Sequence, residues 1–297
     1  MSGRVVVGYT ATPEGRDALV WAARLSAAAG EELHVAMILP SDERSVITPP
    51  DAGYDRHLRE RAQGWLDEAT SALPTGTAHR THVRYADSFA EGLIDLADDL
   101  DASTIVVGAA DGAHLGRHRL GSTTNELLHS SDVPVMVVPR GSAETEGSDG
   151  IPRLTVAVGT RPGAPALLHE AVRLATATGA GLRLVSLVTV DLPGSIDTQT
   201  IRMAGEAHAG EVMKAVRSAL PEGLHVETVT GRGSTIQEAV SQLDWRPGEV
   251  ILVGSSRLAS HRRLFLGSTA SKMLRELTVP MVVVPRTGAT HHEGVVS

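Results

Sequence analysis

Two short constellations in this chain carry residue types suited to holding an anion. Gly108 is followed by a loop bearing His114, Arg117, His118 and Arg119, which ends at Gly121-Ser122-Thr123. Gly254 is followed by a loop bearing Arg257, His261, Arg262 and Arg263, which ends at Gly267-Ser268-Thr269. Glycine allows close backbone approach, and Ser and Thr hydroxyls can donate to phosphate oxygens. A helix opening at Gly-Ser-Thr would aim unpaired N–H groups and the positive end of its dipole at the same point. Neither copy contains Gly-Lys-Ser/Thr, so this is not a P-loop. Ser and Thr are equally ordinary helix caps, and Thr123-Thr124-Asn125-Glu126 fits a capping box. For one copy alone, simple capping is the better reading; recurrence after a loop of equal length favours an inherited binding loop.

The recurrence extends well beyond the loops. Gly108 and Gly254, Gly121 and Gly267, Pro134 and Pro280, and Arg140 and Arg286 are each 146 positions apart. That period is far longer than the roughly 20–50 residues of solenoid units, so it marks a duplicated domain. The division expected is a first domain at 1–140, a linker at 141–152, a second domain at 153–287 and a disordered tail at 288–297. The linker is polar, glycine-rich and without periodicity.

The elements that must position the loops read as alternating strands and helices. In the first half, strands are expected at 5–8, 33–38, 79–85, 104–107 and 135–138. Helical stripes run through Ala18, Trp21, Ala22 and Leu25, then Leu58, Ala62, Trp65, Leu66 and Ala69, then Phe89, Leu93, Leu96, Ala97 and Leu100. Gly30 reads as the first helix's stop. The second half repeats the order, with strands at 154–158, 182–187, 225–230, 251–253 and 281–284. Its helices are expected through 174–178, around 201–220 and at 236–243. Strand–helix alternation implies parallel strands with right-handed crossovers and a sheet covered on both faces. The fold class is therefore α/β: two Rossmann-like, doubly wound domains, each a five-stranded parallel sheet. Ligands of such sheets bind beyond the carboxyl ends of the strands, where strand order reverses, and Gly108 and Gly254 sit at such ends.

The 297 residues suit two domains large enough to bury cores of their own. A net charge of −8 argues against a nucleic-acid partner. No stretch approaches about 20 continuous apolar residues, so no membrane span is expected. The N-terminus enters Arg4-Val5-Val6-Val7 without a signal segment, and cysteine is absent, which fits a reducing compartment. A cytoplasmic protein is expected. Catalysis has little support, because no Ser-His-Asp order, His-Glu-x-x-His or motif-placed carboxylate pair occurs. His79 and His82, three apart on one strand, point to opposite faces and cannot share a metal; His291-His292 has no partner at ligand spacing.

On these residues the chain resembles the universal stress protein family in a tandem, two-domain form. The resemblance covers almost the whole chain, including both Val-Pro…Pro-Arg strands at 133–140 and 279–286. The family's nucleotide signature, Gly-x2-Gly-x9-Gly-Ser/Thr, is matched in spacing by Gly108, position 111, Gly121 and Ser122, and by Gly254, position 257, Gly267 and Ser268. Both copies depart from it, with Asp111 and Arg257 at the second glycine. The acidic residue expected at the end of the first strand aligns with Thr10 in one half and Gly159 in the other. The family's apolar nucleoside contact falls on Ile38 and Leu187. The resemblance implies weakened ATP binding through Thr10, Ile38, Gly108, Gly121, Ser122 and Thr123, and through Leu187, Gly254, Arg257, Gly267, Ser268 and Thr269. Mg2+ would enter only with ATP. The second half is favoured, since Arg257 suits an anion better than Asp111. Loss of two charge-assisted anchors, each worth about 1.5–3 kcal/mol, would move a micromolar site to millimolar.

The resemblance further implies antiparallel pairing of the fifth strands, giving a pseudo-dimer within the chain that is able to dimerise again. Its function would be a non-catalytic, nucleotide-responsive stress regulator, with at most slow incidental ATP hydrolysis. Occupancy would order the basic loops and alter the surface shown to an unidentified protein partner. The alternative is a member without nucleotide binding, acting as a protein-interaction module.

Overall fold

The computed structural model describes residues 3–41, 52–110, 112–144, 150–158, 164–189, 210, 214, 217, 225–255, 264 and 266–286. The expectations placed on Asp111, Gly159, Arg257, His261, Arg262, Arg263, His291, His292 and the tail lie outside them, as does most of the helix expected around 201–220.

The first half runs β1 Arg4–Gly8, α1 Pro13–Ala29, β2 Glu32–Pro40, α2 Ala52–Ser71, β3 His79–Ala86, α3 Phe89–Asp99, β4 Thr104–Gly108, α4 Ser122–Ser130 and β5 Val135–Val138. The second runs β6 Arg153–Ala157, α5 Ala164–Thr178, β7 Gly181–Thr189, β8 Val226–Gly233, α6 Ile236–Ser241, β9 Val250–Gly254, α7 Ser268–Glu276 and β10 Met281–Val284. Local chemistry explains the boundaries. Thr12 caps α1 by accepting from Gly15 N, with Pro13 pre-set in the first turn. Gly30, at φ 67°, closes the same helix in the left-handed region.

The strands form one ten-stranded sheet in the order β3-β2-β1-β4-β5-β10-β9-β6-β7-β8. Strands within each half pair in parallel. Between halves, β5 and β10 pair antiparallel, Met136 facing Val282. Strand order reverses between β1 and β4, and between β6 and β9, which makes those junctions the switch points of the two halves.

Alternate residues of the central strands feed two cores, one per face. Val5, Val7, Val106 and Met136 join Trp21 and Leu25 of α1, Leu66 of α2 and Leu167 and Leu174 of α5 on one face. Val6, Ile105, Val135 and Val137 join Leu93 and Leu96 of α3, Leu127 of α4 and Met273 of α7 on the other. Both cores therefore continue across the seam between halves. The seam also holds the start of the intervening segment. Asp17 of α1 accepts from Gly141 N at 2.7 Å and Ala143 N at 2.8 Å, and Trp21 Nε1 donates to Ser142 Oγ at 2.9 Å.

At the amino ends of the strands the halves solve one packing problem differently. In the second half Glu249 is wholly buried and accepts from Arg153 Nη2 and Arg183 Nη2, each at 2.6 Å. Thr155 and the Arg246 amide also donate to it, and Trp245 lies 5.0 Å from the Arg183 guanidinium. The first half places His34 where Arg183 stands in the register. Its Nδ1 lies 2.8 Å from His82 Nε2, and its Nε2 lies 3.2 Å from Glu32. Burial, aided by the His34 ring, Arg84 and Arg80, holds His82 down to about 4, with Glu32 opposing. Burial also lowers His34 despite Glu32, with Arg4 and Arg80 adding to the effect. His79, on the same strand, turns instead to the Thr77 carbonyl at 2.9 Å.

Two outcomes follow from these clusters. Glu249→Ala strands two buried guanidinium groups without their carboxylate, and is expected to cost about 3–5 kcal/mol in urea unfolding followed by circular dichroism. The histidine pair makes the first half acid-labile. Its folded titration lies below the roughly 6.5 of an unfolded histidine, so its contribution is complete above that pH and drains as pH falls towards 4. The urea midpoint should drop between about pH 7.5 and about pH 4.5, and His82→Gln should flatten that drop.

Candidate functional site

A cleft of about 340 Å3 opens at the first half's switch point, beyond the carboxyl ends of β1 and β4. Its walls are Gly8, Thr10 and Thr12 after β1, Gly108 to Ala110 after β4, and Gly121 to Thr124 where α4 begins. Thr10 and Thr12 hydroxyls lie 3.1 Å apart, and the Thr12 amide donates to the Thr10 carbonyl at 2.7 Å, folding the loop tightly onto the start of α1. Helix α4 begins with Gly121 at its N-cap and no side-chain cap bond. The capping box expected at Thr123 is thus not formed. Ser122 already lies in the first turn, and Glu126 accepts from Ser88 Oγ of α3's cap at 2.9 Å instead. The first-turn amides carry no side-chain cap, the arrangement an anion could use.

Thr10, Gly108, Gly121, Ser122 and Thr123 are brought together in this cleft. Ile38 does not line it. It is 7% exposed and packs on Gly92 of α3, where an added Cβ would lie 2.6 Å from Ile38 Cγ2. In the second half, Leu187 packs on Gly231 of β8, Gly254 ends β9 exposed, and Gly267 is the N-cap of α7, with Ser268 and Thr269 in its first turn. The loops that would face them, 159–163 and 256–263, lie outside the described residues. Glu14 and Phe89 also line the first cleft. The Thr12-Pro13 pair signals the helix start that carries Glu14, whereas no local signal marks Phe89.

The basic loop differs most from expectation. Arg117 and His118 leave the cleft and grip the other half. Arg117 Nη1 donates to the Glu276 carbonyl at 2.7 Å and lies 3.3 Å from its carboxylate, at the end of α7. His118 Nε2 donates to the Val279 carbonyl at 2.8 Å. Burial lowers His118 to about 4, against that hydrogen bond, so the ring is neutral at physiological pH. Arg119 lies over Gly112, whose φ is 73° and whose added Cβ would meet Arg119 Nη1 at 2.6 Å. The loop is braced from β5's end. Arg140 Nη1 donates to the Ala113 carbonyl at 2.8 Å, its amide to the Arg117 carbonyl, and its Nε pairs with Glu14 at 3.3 Å.

Packing alone requires one of the motif glycines. A Cβ on Gly108 would lie 2.2 Å from the Glu14 carbonyl, because α1 starts directly against β4's end. Among the described residues, a Cβ on Gly254 would meet Leu167 at 3.7 Å.

Comparison with known proteins agrees with this architecture. The family model described as "Universal stress protein family" matches residues 1–139 and again 150–285. A universal stress protein of Mycobacterium tuberculosis strain H37Rv is 29% identical over 300 residues, covering 95% of this chain and 99% of its own. One from Mycolicibacterium smegmatis is 28% identical, covering 94% and 96%. A crystal structure of a universal stress protein from Archaeoglobus fulgidus superposes with a TM-score of 0.66 at 20% identity, covering 95% and 98%. The chain belongs to the universal stress protein family, as a tandem member. No helix among the described residues is long and apolar enough to cross a membrane.

Gly108→Ala is expected to lose about 1–3 kcal/mol, the usual cost of forcing extra volume into a packed site. The urea midpoint of the variant, measured beside the parent's, checks the loss.

Proposed function

We propose that this universal stress protein is a non-catalytic, cytoplasmic regulator whose first-half cleft holds an adenine nucleotide, ATP by the family's signature. The observation that carries the reading is the cleft itself. It lies at a switch point, within the roughly 300–1,000 Å3 range of small-molecule sites, and faces the N-terminus of α4, which has no side-chain cap bond. Phosphates would take the amides and hydroxyls of Gly121, Ser122 and Thr123, with Gly108 leaving room beside them. The nucleoside would lie towards Thr10 and Phe89, where a hydroxyl replaces the family's carboxylate. Mg2+ would arrive with the triphosphate, bound through its oxygens. Gly254, Gly267, Ser268 and Thr269 would form the corresponding second-half site, with Arg257 beside it. Occupancy would reset the loop at 109–120 and so the surface offered to a protein partner. The antiparallel β5–β10 seam makes the chain an internal pseudo-dimer, and two chains are proposed to associate further.

One observation favours a second reading, an interaction module without nucleotide. Arg117 and the neutral His118, two of the loop's basic residues, are engaged with the other half rather than with the cleft.

Calorimetric titration of nucleotide-free protein with ATP and Mg2+ separates the two. Saturable binding below millimolar is expected, weaker than the intact family signature would give and lowered more than tenfold further by Gly121→Asp. Gly121 has extended backbone that aspartate can adopt, and a carboxylate there repels phosphate. Absence of heat up to millimolar ATP, with the fold intact by circular dichroism, would establish the second reading instead.

A further inference from the structure

The loop of the first cleft and the helix start at Gly267 are joined through α7 and α4. Loop 109–120 begins at the end of β4 and returns to Gly121, and its two ends are tied by Ala110 N donating to the Arg119 carbonyl at 2.8 Å. It holds the last turn of α7 through Arg117 on Glu276 and the turn before β10 through His118 on Val279. A cation on the carbonyl end of a helix is the favourable sense of the dipole. The nine residues of α7 span about 13 Å and end, at the other extreme, at Gly267-Ser268-Thr269. Just before that point the Leu264 amide donates to the Ser131 carbonyl at 2.7 Å. Ser131 caps the carboxyl end of α4, whose amino end is the first cleft. Leu264 and Ser131 are both wholly buried, so this return contact has little freedom to yield.

The contacts close into a ring: first cleft, loop 109–120, α7, Leu264, Ser131, α4 and the first cleft again. We propose that this ring couples the two halves, so that a nucleotide in the first cleft changes the energetics of the second half's Gly267–Thr269 helix start, and the reverse. The proposal rests on the nucleotide reading above. Short helices packed at both ends move as units rather than bend, so a shift of the loop at Arg117 reaches Ser268 as a displacement of α7. Linkage makes the effect reciprocal. Arg117 and His118 are positioning residues here, remote from the bound phosphates.

Hydrogen exchange read by mass spectrometry on the full chain tests this. The background is Gly267→Asp, which leaves only the first cleft competent for phosphate. Adding ATP and Mg2+ is expected to slow exchange at 121–125 and also to change it at 270–277 by roughly fivefold or more. In the same background, Arg117→Ala combined with His118→Ala should keep the response at 121–125 and lose that at 270–277. A response confined to 121–125 before those changes are made overturns the coupling while leaving the nucleotide site intact. A remote response that survives them overturns the assigned route. No response in either segment overturns the nucleotide reading, and the coupling with it.

Discussion

The constraint that organises this molecule is the need to close an apolar sheet edge. β5 and β10 are four-residue strands whose residues are all buried. Each would otherwise present unpaired backbone groups and hydrophobic side chains to water, the feature that drives edge-to-edge association. Because the two strands are copies of each other, an antiparallel meeting satisfies both at once, with Val135, Met136 and Val137 opposite Val283, Val282 and Met281. The consequences reach the site. Pairing by a local two-fold brings the loop after β4 over the end of α7, and Leu264 against the end of α4. Arg117, His118 and Leu264 find acceptors there because of that geometry.

Much of the fold was legible in the sequence because its signals are local. Apolar runs such as Ile105-Val106-Val107, the helical stripes, Gly30 and the repeat itself each report on neighbours along the chain, and the observed elements follow them. The ring of contacts across the seam was not legible. Nothing in the spelling of 114–119 distinguishes an arginine aimed at a phosphate from one aimed at a carbonyl 159 positions away. The capping box misled for a related reason. Ser122, Thr123 and Glu126 have the right types, but tertiary packing sets the helix start at Gly121 and draws Glu126 to Ser88. A subtler signal was present and unread. Arg183 interrupts a largely apolar strand, Arg153 opens another and Glu249 directly precedes a third, as buried partners of one another would.

The lining of the candidate cleft was legible by composition and not by geometry. The first-half residues expected beside a ligand divide into Thr10, Gly108, Gly121, Ser122 and Thr123, which meet in one cleft, and Ile38, which does not. Strand β2 turns Ile38 onto α3 because Gly92 leaves a gap that the isoleucine fills. An apolar residue at the end of a strand has two faces available, and only the packing of the adjacent helix decides between them.

The glycines show how far a motif can be separated from its ligand. Gly108 is required by the approach of α1, since its missing Cβ is the space occupied by the Glu14 carbonyl. That requirement holds whether or not anything binds, so the residue's presence in the first half says more about helix packing than about phosphate. At Gly254 the nearest described atom to the absent Cβ is Leu167 Cδ2 at 3.7 Å, while the segment leading into α5, the counterpart of the one that carries Glu14, lies outside the described residues. After a duplication, a residue held by packing persists through any change of function. A motif glycine therefore speaks for a ligand only where the space of its missing Cβ faces the cleft rather than a neighbouring helix.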